Sequence, residues 1–171
     1  MPSPFHGYPK GAHGRNGYSA IAICNHITDY VGESWEPFDR WFTSQGKVAP
    51  NYCVLRNGVI TQYVDEDDAA WTQGVVNTPN LTIPWIAHLI AARGLNPNLL
   101  CISIEQEGKP NLPLTEAQYQ STLWLHRDII RRHGMLPDRN HIVGHCDFNS
   151  VDKANCPGPL FPWTKLLADL N

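Results

Sequence analysis

Two short, continuous apolar runs, Ser19 to Cys24 and Leu99 to Ile104, with His141 to His145 as a further short strand, constrain the fold most, because each run is too short for a helix and is bounded by polar residues. Such runs read as strands buried on both faces, the signature of a sheet covered by helices on either side. Between them lie two further strand runs, Tyr52 to Arg56 and Val59 to Val64, separated by Asn57-Gly58, a strong antiparallel-hairpin signal.

Helical spacing fills the gaps. Trp35, Phe38, Trp41 and Phe42 recur as one stripe that ends at Gly46 and reads as core. Pro84 can open a helix through Trp85, His88, Leu89 and Ala92, with His88 as a packed residue. Thr115 and Gln118 form a capping box ahead of Tyr119, Leu123, His126, Ile129 and Ile130, and Gly134 supplies the stop. Trp163 to Leu170 is a candidate terminal helix. The order strand, helix, hairpin, helix, strand, helix, strand predicts an α/β fold: a central mixed β-sheet flanked by helices. With 171 residues, one domain is expected, over residues 19–171, after an irregular, Gly- and Pro-rich arm at residues 1–18.

Charge removes some function classes. A formal net charge of −3 gives no long-range attraction to nucleic acid or anionic membranes, and no apolar run is long enough to span a bilayer. A monomer without membrane insertion or a signal peptide is expected. The cysteine count is odd, and Cys24, Cys53 and Cys101 lie inside strand runs, so they read as free thiols packed as small hydrophobes.

Cys156 differs, standing in a Cys-Pro-Gly-Pro turn eleven residues after His145. An imidazole and a thiolate joined by a polar loop suit zinc, and His26 at the end of the first strand run offers a third ligand. Two His and one Cys leave the fourth tetrahedral position open, as catalytic zinc sites do. His141 is four residues from His145, but in a strand rather than a helix, and Cys146 points away from its neighbour His145 by strand alternation; both are set aside as ligands.

Taken in order, Ala22-Ile23-Cys24-Asn25-His26, Asn51-Tyr52-Cys53-Val54 with Asn57-Gly58, Ala70-Trp71, Ile102-Ser103-Ile104-Glu105, Val143-Gly144-His145-Cys146-Asp147 and Cys156-Pro157-Gly158 resemble the type 2, zinc-dependent N-acetylmuramoyl-L-alanine amidases. That family includes phage amidase endolysins and is related to peptidoglycan recognition proteins. The resemblance implies one Zn2+ held by His26, His145 and Cys156, with Glu105 as general base and Tyr52 as donor to the developing oxyanion. It implies peptidoglycan or a muropeptide as partner, with Trp71, Thr72 and Trp85 as candidate substrate contacts.

The chain departs from the family pattern twice. Several such amidases carry a Lys two residues before the ligand Cys, whereas here Ala154 takes that place and Lys153 stands three before; Lys153 either reaches the pocket by another loop path or is solvated. Thr72 replaces a frequent His. The implied reaction is hydrolysis of the amide between N-acetylmuramic acid and L-alanine, with wall lysis as an endolysin as the main expectation. The alternatives are a cytoplasmic muropeptide-recycling amidase, a module that binds peptidoglycan without cutting it, and a cysteine hydrolase pairing Cys156 or Cys146 with His145.

Overall fold

The computed structural model describes residues 12–32, 34, 36–44 and 48–171. The sheet has five strands: β2 (Ala22–Ile27), β3 (Tyr52–Val54), β4 (Ile60–Gln62), β6 (Cys101–Gln106) and β7 (Ile142–Gly144), in the order β4-β3-β6-β2-β7. Only the β3–β4 hairpin is antiparallel; the pairs β3–β6, β6–β2 and β2–β7 are parallel. The mixed sheet expected from the sequence is therefore present, with its two longest strands, β2 and β6, in the interior.

Helix α2 (Glu116–His133) and helix α3 (Trp163–Leu170) cover one face, joined through Tyr119, Leu123, Ile142, Phe161 and Leu166. Under α2, Ile23, Tyr52, Val54, Ile102, Ile104, Leu125 and Ile129 form a shared core. The opposite face is covered by α1 (Glu36–Ser44), whose Phe38 and Phe42 pack on Cys53, Leu55 and Tyr63, and by the segment carrying Ile83, Ile86 and Ile90. Burial of these side chains supplies the main driving force for stacking three layers.

The ends of α2 follow local chemistry. Thr115 Oγ1 accepts from the Gln118 N–H at 3.1 Å, and Gly134 closes the helix at φ 64°, a left-handed position that costs little only without a Cβ. The capping box is half made, because the Gln118 side chain turns inward and donates to the Val54 and Glu107 carbonyls at 3.1 and 2.9 Å.

Several expectations need correction. The end of the expected arm is a strand: β1 (Ala12–Gly14) pairs antiparallel with β5 (Asp68–Ala70). Arg15, 6% exposed, stitches it down by donating to the carbonyls of Glu66, Asn98, Leu99 and Cys101. The helix after Pro84 is wound as a π-helix over Ile86–Ala91, and its buried stripe is Ile83, Ile86 and Ile90, which leaves His88 exposed. In α1, Phe38 and Phe42 point inward as expected, but Trp41 is 44% exposed. Trp35 and Gly46 lie outside the described residues. All five cysteines are free thiols.

Candidate metal centre

Strand alternation puts Asn25 on the α2 side of the sheet, where its amide donates to His126 Nε2, and therefore turns His26 to the other side. In the parallel β2–β6 pair His26 lies directly beside Glu105, and the same alternation that sends Ile102 and Ile104 under α2 sends Glu105 to the His26 side. Strand β7 lies along β2 with Asn25 opposite Gly144, so the next residue, His145, emerges beside His26. The two Nδ1 atoms are 3.1 Å apart.

Cys156 arrives by a loop fixed along its length. Asn149 Oδ1 accepts from the N–H groups of Val151 and Asp152, and Cys156 N–H donates to the Lys153 carbonyl at 2.9 Å. The Cys156 carbonyl in turn accepts from Cys146 N–H at 2.9 Å. Gly144 permits this closure: a Cβ there would lie 2.8 Å from Pro157 Cδ and 3.2 Å from the Trp163 ring. Cys156 Sγ ends 3.8 Å from His26 Nδ1, and one donor atom from each of His26, His145 and Cys156 lies within 4.8 Å of the other two.

These spacings fit a metal. With Zn–N near 2.0–2.1 Å and Zn–S near 2.3 Å, tetrahedral angles separate donors by about 3.3–3.6 Å. Burial and the neighbouring His145 hold His26 well below its ordinary pKa, and burial lowers His145 to about 4, so both rings are neutral at pH 7 and have lone pairs to give. His145 Nε2–H donates to the Gln73 carbonyl at 2.7 Å, which leaves Nδ1 as the free acceptor facing the site. Asp147 holds the turn that carries His145, its carboxylate accepting from Gly144 N–H, Arg139 and Asn80.

Glu105 is 9% exposed, and burial raises its carboxyl to about 8 against the opposing pull of Lys153. Its Oε2 has no hydrogen-bond partner among the described residues. The carboxyl and all three donor-bearing residues line one cavity of about 510 Å³, together with Trp41, Thr72, Asp152 and Lys153. Lys153 lines the cavity while remaining exposed to solvent. Its charge is the one cation side chain among the described residues lining that space.

The other expected site residues fall elsewhere. Tyr52 points under α2, and its hydroxyl donates to Glu66 Oε1 at 2.7 Å, so it does not line the cavity. The reason is phase: in β3, Cys53 rather than Tyr52 shares the Glu105 register. Trp85 packs on Phe148 and donates its indole N–H to the Asn140 carbonyl, away from the cavity. Trp71 is 45% exposed and lines a neighbouring hollow with Leu95 and Asn96; Thr72 lines both.

Cysteine chemistry is disfavoured. Burial and then the charge of Glu105 push the Cys156 thiol well up, and burial also raises Cys146, so neither is a thiolate without a metal.

Sequence reasoning missed Trp41, Gln73 and Asp147. Asp147 sits inside a quoted motif, whereas Gln73 acts through its backbone and leaves no side-chain signal.

Residues 14–159 match the family model described as N-acetylmuramoyl-L-alanine amidase. The chain belongs to that family. Among curated relatives, the 1,6-anhydro-N-acetylmuramyl-L-alanine amidase AmpD of Haemophilus influenzae is 33% identical over 126 residues, covering 74% of this chain and 60% of the relative. The match thus spans less than two thirds of that relative. Among solved structures, a selenomethionine AmpD derivative aligns with TM-score 0.69 at 24% identity, over 100% of this chain and 93% of that one. The Escherichia coli amidase AmiD, in complex with anhydro-N-acetylmuramic acid-L-Ala-D-gamma-Glu-L-Lys, aligns with TM-score 0.67 at 23% identity, over 92% of this chain and 60% of that one. Both share the fold.

Proposed function

We propose that this family member is a zinc-dependent amidase that hydrolyses the bond between the lactyl group of N-acetylmuramic acid and L-alanine, with a soluble 1,6-anhydro-muropeptide as substrate. The observation that carries the reading is the convergence of His26 Nδ1, His145 Nδ1 and Cys156 Sγ beside a buried carboxyl whose Oε2 has no hydrogen-bond partner among the described residues. His26, His145 and Cys156 would hold one zinc ion. When bound, zinc supplies Lewis-acid polarisation of the carbonyl and lowers the pKa of water towards about 7.

Glu105 takes a proton from the attacking water as the water oxygen bonds to the lactyl carbonyl carbon. As the C–N bond breaks, Glu105 passes that proton to the amine of L-alanine. Lys153 takes the place of Tyr52 as oxyanion stabiliser in this reading, since it lines the cavity and the tyrosine does not. Thr72 and Trp41, which both line the cavity, are the substrate contacts this reading takes forward.

The choice of substrate favours muropeptide recycling over wall lysis. The relative matched in sequence is named for the 1,6-anhydro substrate, and the AmiD complex holds an anhydro-muramyl tripeptide. The test is turnover by metal-free and zinc-reconstituted protein of 1,6-anhydro-N-acetylmuramyl tripeptide and of intact peptidoglycan, with mass analysis of the products. Zinc-dependent release of peptide with a free L-alanine terminus, faster from the soluble compound, is expected. Faster attack on intact wall returns the lysin reading, and zinc uptake without cleavage of either substrate returns the recognition module.

A further inference from the structure

The Gln73 carbonyl decides which nitrogen of His145 faces the metal site, yet residues 71–76 belong to no helix or strand. Something other than regular backbone pairing must aim that carbonyl. One atom does: Asn98 Oδ1 accepts from both the Thr72 N–H, at 3.0 Å, and the Gln73 N–H, at 3.1 Å. Asn98 is 5% exposed and is itself held, since its own N–H and its side-chain amide both donate to Asn96 Oδ1, at 3.0 and 2.9 Å. The Gln73 side chain completes the fixture by donating to Ser103 Oγ, on β6, at 2.9 Å.

We propose that Asn98 is a positioning residue for the metal centre: by clamping two consecutive peptide N–H groups it aims the Gln73 carbonyl, which locks His145 as the Nε2–H tautomer with Nδ1 free to bind a divalent metal. This rests on the reading of His145 as a ligand. A free imidazole exchanges between tautomers, and a fraction held in the wrong one weakens the metal in proportion. A buried amide with its acceptor unused is costly, so an apolar residue at 98 would fill the space but leave two N–H groups unpaired and the carbonyl free to turn.

The experiment uses the full chain labelled with 15N-histidine and freed of metal, with the tautomer read from long-range proton–nitrogen correlations and zinc affinity from chelator competition. In the unaltered chain His145 shows the Nε2–H form alone. Asn98→Leu, similar in volume but without an acceptor, is expected to show both tautomers and to lose about 10- to 100-fold in zinc affinity. Asn98→Asp keeps the acceptor but gives up the amide donation to Asn96 Oδ1, and is expected to retain more of the Nε2–H form and of the zinc affinity than Asn98→Leu. If Asn98→Leu does not fold, Asn98→Ser, too short to reach both N–H groups, is read the same way. Unchanged His145 signals and affinity in the acceptor-free variant overturn the clamp, as does an Asn98→Asp protein that retains no more of either than Asn98→Leu. Failure of the proposed function is separable, because it shows as no zinc uptake by the unaltered chain.

Discussion

Glu66 and Glu105 are buried to nearly the same degree, 8% and 9% exposed, on opposite faces of one sheet, and their surroundings drive them in opposite directions. Burial raises both. At Glu66 it is outweighed by Arg132, His133 and the Tyr52 hydroxyl, all of which donate to the carboxylate, and the net pKa is lowered. At Glu105 burial stands almost alone, opposed only by the charge of Lys153, and the carboxyl rises to about 8. A fully paired buried charge holds structure in place, whereas a buried carboxyl left without partners can take and give a proton near neutrality. Equal burial therefore says nothing about role until the partners are counted.

The largest expected effect tests whether the Glu105 side is organised around a metal. Cys156→Ala is expected to abolish both zinc binding and amide hydrolysis, while the melting temperature of the metal-free protein changes little, because a half-buried thiol is lost without leaving a charge unpaired. Full activity in that variant would overturn the ligand assignment. Next comes Glu105→Gln, expected to keep zinc and to lose about 10²- to 10⁴-fold in kcat. Retained turnover would remove the proton-transfer role and with it the functional half of the contrast.

The same variant gives a pH signature. A carboxyl whose folded pKa is raised makes the folded state hold its proton longer than the unfolded one, so stability falls as pH rises between the unfolded value near 4.5 and about 8. Metal-free Glu105→Gln is expected to lack that slope, and so to melt above the unaltered chain at pH 8 and alongside it at pH 4. Parallel melting curves across that range would refute an unpaired, raised carboxyl.

How much of this was legible depended on range. The hairpin at Asn57-Gly58 and the ends of α2 at Thr115 and Gly134 were readable because turn and cap chemistry is local. His26, His145 and Cys156, separated by 119 and 130 residues from His26, were joined only by the order of motifs, since spacing cannot give cross-strand register. Tyr52 was misplaced for the same reason: a strand shows that side chains alternate, but its phase relative to Glu105 is set by pairing with β6. Strand β1 has only three residues, Ala-His-Gly, with no alternation to read, and exists because β5 and the Arg15 bonds receive it. Trp41 carried the same helical spacing as its buried neighbours and was told apart only by what lies opposite it.

On the structural side, Glu66→Gln is expected to cost about 2 kcal/mol of stability and to leave kcat unchanged per folded molecule, since a neutral amide cannot satisfy Arg132, His133 and Tyr52 together. The part-exposed side chain of Arg132 keeps the figure below that of a fully buried pair. The acid limb follows from the sign of the shift: with a folded pKa below the unfolded one, the Glu66 contribution is complete above about pH 4.5 and is lost as pH falls through the folded value. Glu66→Gln is thus expected to flatten the acid side of the stability profile, opposite to the limb that Glu105→Gln flattens. A single limb responding to both variants would erase the distinction between the two carboxyls.

The smallest effect is expected from Tyr52→Phe, which removes one donor from Glu66 and leaves the ring in the core beneath α2. Two strong donors remain on that carboxylate, so the loss is about 1 kcal/mol of stability, with kcat and KM for the anhydro-muropeptide within about twofold of the unaltered chain. The family resemblance implied the opposite, a phenol supporting the oxyanion, whose removal would slow the chemical step by about 10²-fold or more and leave stability alone. Stability and turnover therefore move in opposite senses under the two assignments. A kcat loss of that size in a stably folded Tyr52→Phe protein would mean that β3 presents its other face to the site, while Glu105 stays beside His26 through the β2–β6 register.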